Sequence, residues 1–144
     1  KRQLKRHLVA WGPALAWVVA LFVLSELRSV PELLRPVAAL NDKVLHALLY
    51  SALGLALAWG RARSSPPPPH YLLLLAGYLY GALDEWHQSF VPGRTPEFGD
   101  WVADVVGVTL GYAAGLLLFR WRRDRAHPPS APTSSPSPSS ARFE

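Results

Sequence analysis

Cysteine is absent from these 144 residues, which excludes disulfides, thiolate metal ligands and cysteine nucleophiles. Methionine is absent as well, so Lys1 is not expected to be the translation start. The chain has no P-loop, no dinucleotide-binding glycine pattern, no serine nucleophile elbow and no HExxH zinc motif, and the chemistry those motifs announce is not indicated. Charge is nearly missing from four stretches, residues 8–24, 44–59, 71–83 and 101–121. Those runs exclude a soluble nucleic-acid binder, although Lys and Arg outnumber Asp and Glu by 15 to 10.

What is present is hydrophobic length. Half of the residues are hydrophobic, and each run with its flanks approaches the roughly 20 residues that cross about 30 Å of hydrocarbon. The reading is an all-α integral membrane four-helix bundle, with helices at about 8–27, 43–60, 70–90 and 96–121 inside one transmembrane domain, 1–125. The first run has a basic start but is too long for a signal core and lacks a small-x-small cleavage site, so it is read as a retained helix. Residues 126–144 turn to Pro, Ser and Ala and are expected to be disordered.

Charge placement sets the expected topology. Of the Lys and Arg residues, only Arg28, Arg35, Lys43 and Arg94 fall on one side of the four runs. The positive-inside rule then places both termini in the cytoplasm. The first outer loop, 25–41, is too apolar for a solvated loop and predicts a short interfacial segment. Asn41 or Asp42 is suited to cap the second helix. Pro13 is expected in the first turns of helix one, where a missing N–H is tolerated. Gly77 and Gly81, and Gly107, Gly111 and Gly115, recur every four residues and predict close helix packing. Trp11, Trp59, Trp86, Trp101 and Trp121 fall at predicted membrane boundaries, whereas Trp17 reads as core.

The segment 84–104 breaks the apolar pattern with Asp84, Glu85, His87, Gln88, Arg94, Glu97, Asp100 and Asp104. Ionisable groups at the edge of a lipid-embedded segment cost about 2.5–3.5 kcal/mol each and are rare without a reason. Asp42, His46 and Tyr50 share one face of the second predicted helix by i, i+4 spacing, with Lys43 beside them. Pro92 and Gly93 suit the central positions of a type II turn, and Thr95 with Pro96 suits the start of the fourth helix. Three helices therefore bring polar groups to one level near the outer surface. Asp42, Asp84, Glu85, Glu97, Asp100 and Asp104 outnumber Lys43 and Arg94, so the cluster calls for a proton or a divalent cation.

The ordered combination Asp42-Lys43-x-x-His46-x-x-x-Tyr50, then Glu85-x-x-Gln88-x-Phe90-x-Pro92-Gly93-Arg94 and Asp100, resembles the VanZ-like family of small bacterial membrane proteins over roughly residues 8–120. The resemblance implies a four-helix membrane protein linked to the cell envelope, since the name-giving member confers low-level resistance to teicoplanin. One departure is Asp104, where the family pattern often has Asn.

The residues support three functions. In the first, an envelope protein binds or acts on a lipid-linked cell-wall precursor. Glu85, His46 and Asp104 are then the candidate catalytic groups, and Arg94, Lys43, Gln88, Tyr50 and Asp100 the substrate contacts. A divalent cation would be held among Asp42, His46, Glu85 and Asp104. The second is a proton- or cation-coupled transporter or channel, although the polar path stops halfway unless a homo-oligomer completes it. The third is a structural or adaptor subunit. Each residue also has a structural role open to it: Asp42 as a cap, Asp100 as a helix-dipole partner, His46 as an interhelical hydrogen-bonding group, His87 facing interfacial water, and Arg94 as the ion-pair partner of Glu85 or Asp100.

Overall fold

The computed structural model describes residues 1–26, 32–34, 36 and 41–126. Four helices account for nearly all of them: α1 (Arg2–Ser25), α2 (Asp42–Ala62), α3 (His70–Gln88) and α4 (Phe98–Ala126). Among the described residues between α1 and α2 lies a 3-10 turn, Glu32–Leu34. Most of the expected interfacial segment, and the Pro/Ser-rich tail beyond Ala126, lie outside the described residues.

The hydrophobic runs locate the helices, but charged flanks extend two of them. α1 begins at Arg2 rather than near residue 8, and α4 continues to Ala126 rather than ending at 121, because Arg, Lys and Leu are good helix formers that add turns beyond the apolar run. This moves Pro13 from the first turns to the middle of α1. Proline has no N–H for the carbonyl four residues back, which here belongs to Val9. Trp59 of α2 fills the gap, donating its indole N–H to the Val9 carbonyl at 3.1 Å.

Asn41 caps α2, its side chain accepting from the Lys43 backbone N–H at 2.8 Å. The turn before α4 is the expected one: the Arg94 N–H donates to the Val91 carbonyl at 3.1 Å, and Gly93 has φ +87°, the left-handed value a type II turn demands at its third residue. α4 itself starts two residues late. Thr95 and Pro96 precede the helix rather than opening it, because the first helical carbonyl is that of Glu97, which accepts from Asp100 at 2.9 Å.

The helices alternate in direction. Trp59 meets Val9 and Trp17 donates to the Leu49 carbonyl at 2.8 Å, which sets α1 antiparallel to α2. The glycine stripe of α4 sets the next pairing. A Cβ at Gly107 would strike the Ala47 backbone, one at Gly111 the Ser51 carbonyl, and Gly115 rests against Ala58. α2 and α4 therefore pack backbone to backbone, and Gly77 and Gly81 of α3 lean on Val108 and Asp104 of α4. The core so formed contains Leu53, Leu57, Ala58, Leu73, Val108 and Tyr112.

Outward from this core the helices present Leu15, Val19, Leu48, Leu79, Leu110 and Leu117, all exposed. So continuous an apolar exterior is stable only against lipid or another apolar surface. α1, α2 and α4 are long and apolar enough to cross a membrane. α3 is not among those three; its apolar part ends before Asp84 and Glu85, about 20 Å from its start at 1.5 Å per residue. All four pack as one bundle, with α3 against α4 and α2.

Candidate functional site

At the end of the bundle where α2 and α4 begin and α3 finishes, each helix delivers polar side chains inward. α2 contributes Lys43, His46 and Tyr50, α3 contributes Asp84, Glu85 and Gln88, and α4 contributes Asp100 and Asp104. His46, Tyr50, Asp84, Glu85, Gln88, Asp100 and Asp104 are all buried, so their partners decide what they can do.

His46 is the meeting point. Its Nδ1 lies 2.9 Å from Asp104 Oδ1 and 3.9 Å from Glu85 Oε1. The other Glu85 oxygen, Oε2, accepts the backbone N–H of Glu97 at 3.2 Å. That bond ties α3 to the entrance of α4 and explains why the helix begins only after Glu97. Two oxygens remain: Glu85 Oε1 and Asp104 Oδ2 are buried with no hydrogen-bond partner among the described residues. Asp104 is fully buried and Glu85 only 7% exposed. An orphan carboxylate oxygen in such a place is costly unless something positive or protonated meets it.

The donor set fits a divalent cation. One ligand atom from each of His46, Glu85 and Asp104 falls within 4.8 Å of the others. An imidazole with two carboxylates suits a borderline or hard dication. The 2.9 Å between His46 Nδ1 and Asp104 Oδ1 is close to the spacing of adjacent ligands in an octahedron with bonds of about 2.1 Å. A second trio, Asp42, His46 and Asp100, lies within the same limit, so Asp42 joins His46 by a route separate from Glu85 and Asp104, and it is exposed.

The other expected contacts fall into two groups. Lys43 Nζ pairs with Asp100 Oδ1 at 2.8 Å and with Glu97 Oε2 at 2.9 Å, so its charge is already matched within the protein. Tyr50 donates to Asp84 Oδ2 at 3.0 Å, and Gln88 Nε2 approaches the same oxygen at 3.5 Å. Tyr50 and Gln88 thus hold Asp84, a hub the sequence-based choice of site residues omits even though it counts Asp84 among the acids. A cleft of about 50 Å³ opens beside them, lined by Leu21 and Ser25 of α1, His46, Asp84, Gln88 and Arg94. That is space for a few waters. Ser25, also missed, is buried there, its hydroxyl unpartnered among the described residues; one serine at the end of an apolar run carries no periodic signal. His87, expected to face interfacial water, bonds Glu26 at the end of α1 and lies against Phe22.

Taken together, the lipid-facing exterior, three helices able to cross a bilayer and a buried histidine–carboxylate cluster at one end define a multi-pass membrane protein. Residues 8–120 match the VanZ/LLP1 family, and the chain belongs to it. It is similar to the uncharacterized protein C11E3.10 of Schizosaccharomyces pombe, with 28% identity over 109 residues that cover 76% of this chain. The chain spans 65% of that relative's length. No solved structure matches it.

Proposed function

We propose that this protein binds the anionic headgroup of a lipid-linked envelope precursor through a divalent cation held by His46, Glu85 and Asp104. The observation that carries the reading is the pair of buried oxygens, Glu85 Oε1 and Asp104 Oδ2, without a hydrogen-bond partner among the described residues and beside a histidine nitrogen. A dication there balances two carboxylates and supplies Lewis acidity toward an oxyanion. Arg94 lines the cleft with His46 and Asp84, and in this reading it contributes positive charge toward the headgroup. Asp42 and Asp100 approach His46 from the outer side, and the Lys43 ion pairs hold α2 against α4 there.

Topology supports the envelope side. The basic residues Arg2, Lys5, Arg6, Arg61, Arg63, Arg120, Arg122, Arg123 and Arg125 lie toward the opposite end of the bundle, where Trp59 meets Phe119 and Val9. The positive-inside rule then faces the carboxylate cluster away from the cytoplasm. The proposed setting is the outer leaflet of a bacterial cytoplasmic membrane, and the contribution to teicoplanin tolerance included in the proposal rests on the VanZ family membership alone. A transport reading gains no support from the interior, where Leu53, Leu57, Leu73 and Val108 pack below the cluster.

The test is cation binding by the purified protein, with Mn²⁺, Zn²⁺ and Mg²⁺ each added after chelation. One dication per chain should raise the unfolding temperature, since a ligand at 100 times its Kd stabilises by about 2.7 kcal/mol. Glu85→Gln and His46→Ala should each weaken binding by at least about tenfold and abolish the thermal shift, and retention of a lipid-linked saccharide should fall with it. Equal cation binding by parent and both variants would refute the proposal.

A further inference from the structure

The other end of the bundle holds a second, larger recess. The first turns of α1 and the C-terminal end of α2 enclose a cleft of about 620 Å³, within the range of about 300–1,000 Å³ typical of ligand pockets. It lies about 25 Å from His46, counting 1.5 Å per residue along α2 to Arg63. Arg2, Lys5, Arg6, His7, Arg63 and Ser64 are among the residues that line it, and none of the described lining residues is acidic. Four permanent cations thus face one space without a matching carboxylate on its walls, whereas Lys43 at the opposite end is paired twice over.

The recess is built on packed aromatic residues. Trp59 is anchored by its bond to the Val9 carbonyl, the one Pro13 leaves without a helical donor. The Arg63 guanidinium lies over the Trp59 ring, 3.7 Å from its centroid, which orients the charge by a cation–π contact. Trp11 covers Gly60, where a Cβ would strike its ring. The N-terminal turns of α1 are thereby pinned beside the end of α2, so that Lys5 and Arg6 share a wall with Arg63. Val9 and Ala10 complete the lining with apolar surface.

We infer that this cleft binds a phosphate group, with the geometry suited to the headgroup of an anionic phospholipid. Cations beside the apolar surface of Val9 and Ala10 match a phosphodiester joined to acyl chains, and a recess at helix ends falls where lipid headgroups lie. Arginine is the side chain best shaped to take phosphate oxygens in pairs. The inference does not depend on the proposed cation site, because it uses none of the same residues.

The experiment is native mass spectrometry of the full chain released from detergent, with phosphatidylglycerol, phosphatidylcholine and inorganic phosphate as separate probes. The parent should retain phosphatidylglycerol over phosphatidylcholine. The double variant Arg6→Ala with Arg63→Ala should lose about tenfold or more of that retention, as attraction per basic side chain predicts. Arg2→Ala with Lys5→Ala, on exposed turns, should lose a comparable amount and serves if the first pair perturbs folding. Arg122→Ala with Arg123→Ala, outside the cleft, should stay within about twofold of the parent. Displacement by millimolar inorganic phosphate would assign the site to a soluble phosphate; persistence of the lipid would assign it to the headgroup. If both cleft variants retain phosphatidylglycerol like the parent, or lose no more than the α4 pair does, the inference is overturned.

Discussion

Asp84 shows how finely single residues are balanced in this cluster. Its Oδ2 takes the Tyr50 hydroxyl at 3.0 Å, while Gln88 stands at the long limit of 3.5 Å. Tyr50→Phe keeps the ring packed in the core but leaves a buried carboxylate oxygen with one stretched donor. The expected loss is about 1–3 kcal/mol of stability, read as an earlier unfolding transition in detergent, with cation binding at His46 retained. Glu85 divides its two oxygens, one to the Glu97 N–H and one into the cluster. Asp42, His46, Glu85 and Asp104 were legible as polar residues inside or capping predicted helices. Asp84 was visible as a charge but not as a hub, since its role depends on which neighbours its oxygens meet.

Among the elements, the pairing of α2 with α4 is the least tolerant. Gly111 leaves no room for any side chain, its missing Cβ falling onto the Ser51 carbonyl. Gly111→Val should force the helices apart and cost at least the 1–3 kcal/mol typical of overpacking, seen as lost yield of folded protein or a markedly lower unfolding temperature. Gly12, with nothing within 4 Å, is the contrasting site, where the same change should be far milder. Glycine spacing announced a packing face on α4 but did not name its partner. α2 was selected because Gly54 also approaches the backbone of α4, at Val108 and Tyr112, which makes the contact mutual.

For the molecule as a whole, orientation in the membrane is the prediction that matters most. The absence of cysteine makes it direct to test. Phe90→Cys, exposed beside the carboxylate cluster, should react with a membrane-impermeant thiol reagent added to intact cells. Ser65→Cys, exposed in the connection between α2 and α3, should react only after the membrane is opened. The reverse pattern would place the cluster in the cytoplasm and overturn the proposed contact with envelope precursors. α3 also belongs to this scale: its end carries Asp84, Glu85 and Gln88 into the bundle rather than to lipid, so the four helices act together to shield one polar site.

Hydrophobic runs, turn chemistry and the distribution of basic residues were enough to define four helices, the type II turn at Gly93 and the end of the bundle where ionisable groups collect. Those features depend on local sequence: a run of apolar residues forms a helix in lipid whatever its neighbours are, because every backbone group is satisfied within the segment. The pairing of Lys43 with Glu97 and Asp100, the Trp59 bond that offsets Pro13, and the two carboxylate oxygens left open beside His46 are of another kind. They arise from the rotation and depth of each helix against the next, set by glycine contacts spread over three helices. Side chains 57 and 58 positions apart in sequence meet within hydrogen-bonding distance only after that packing is complete.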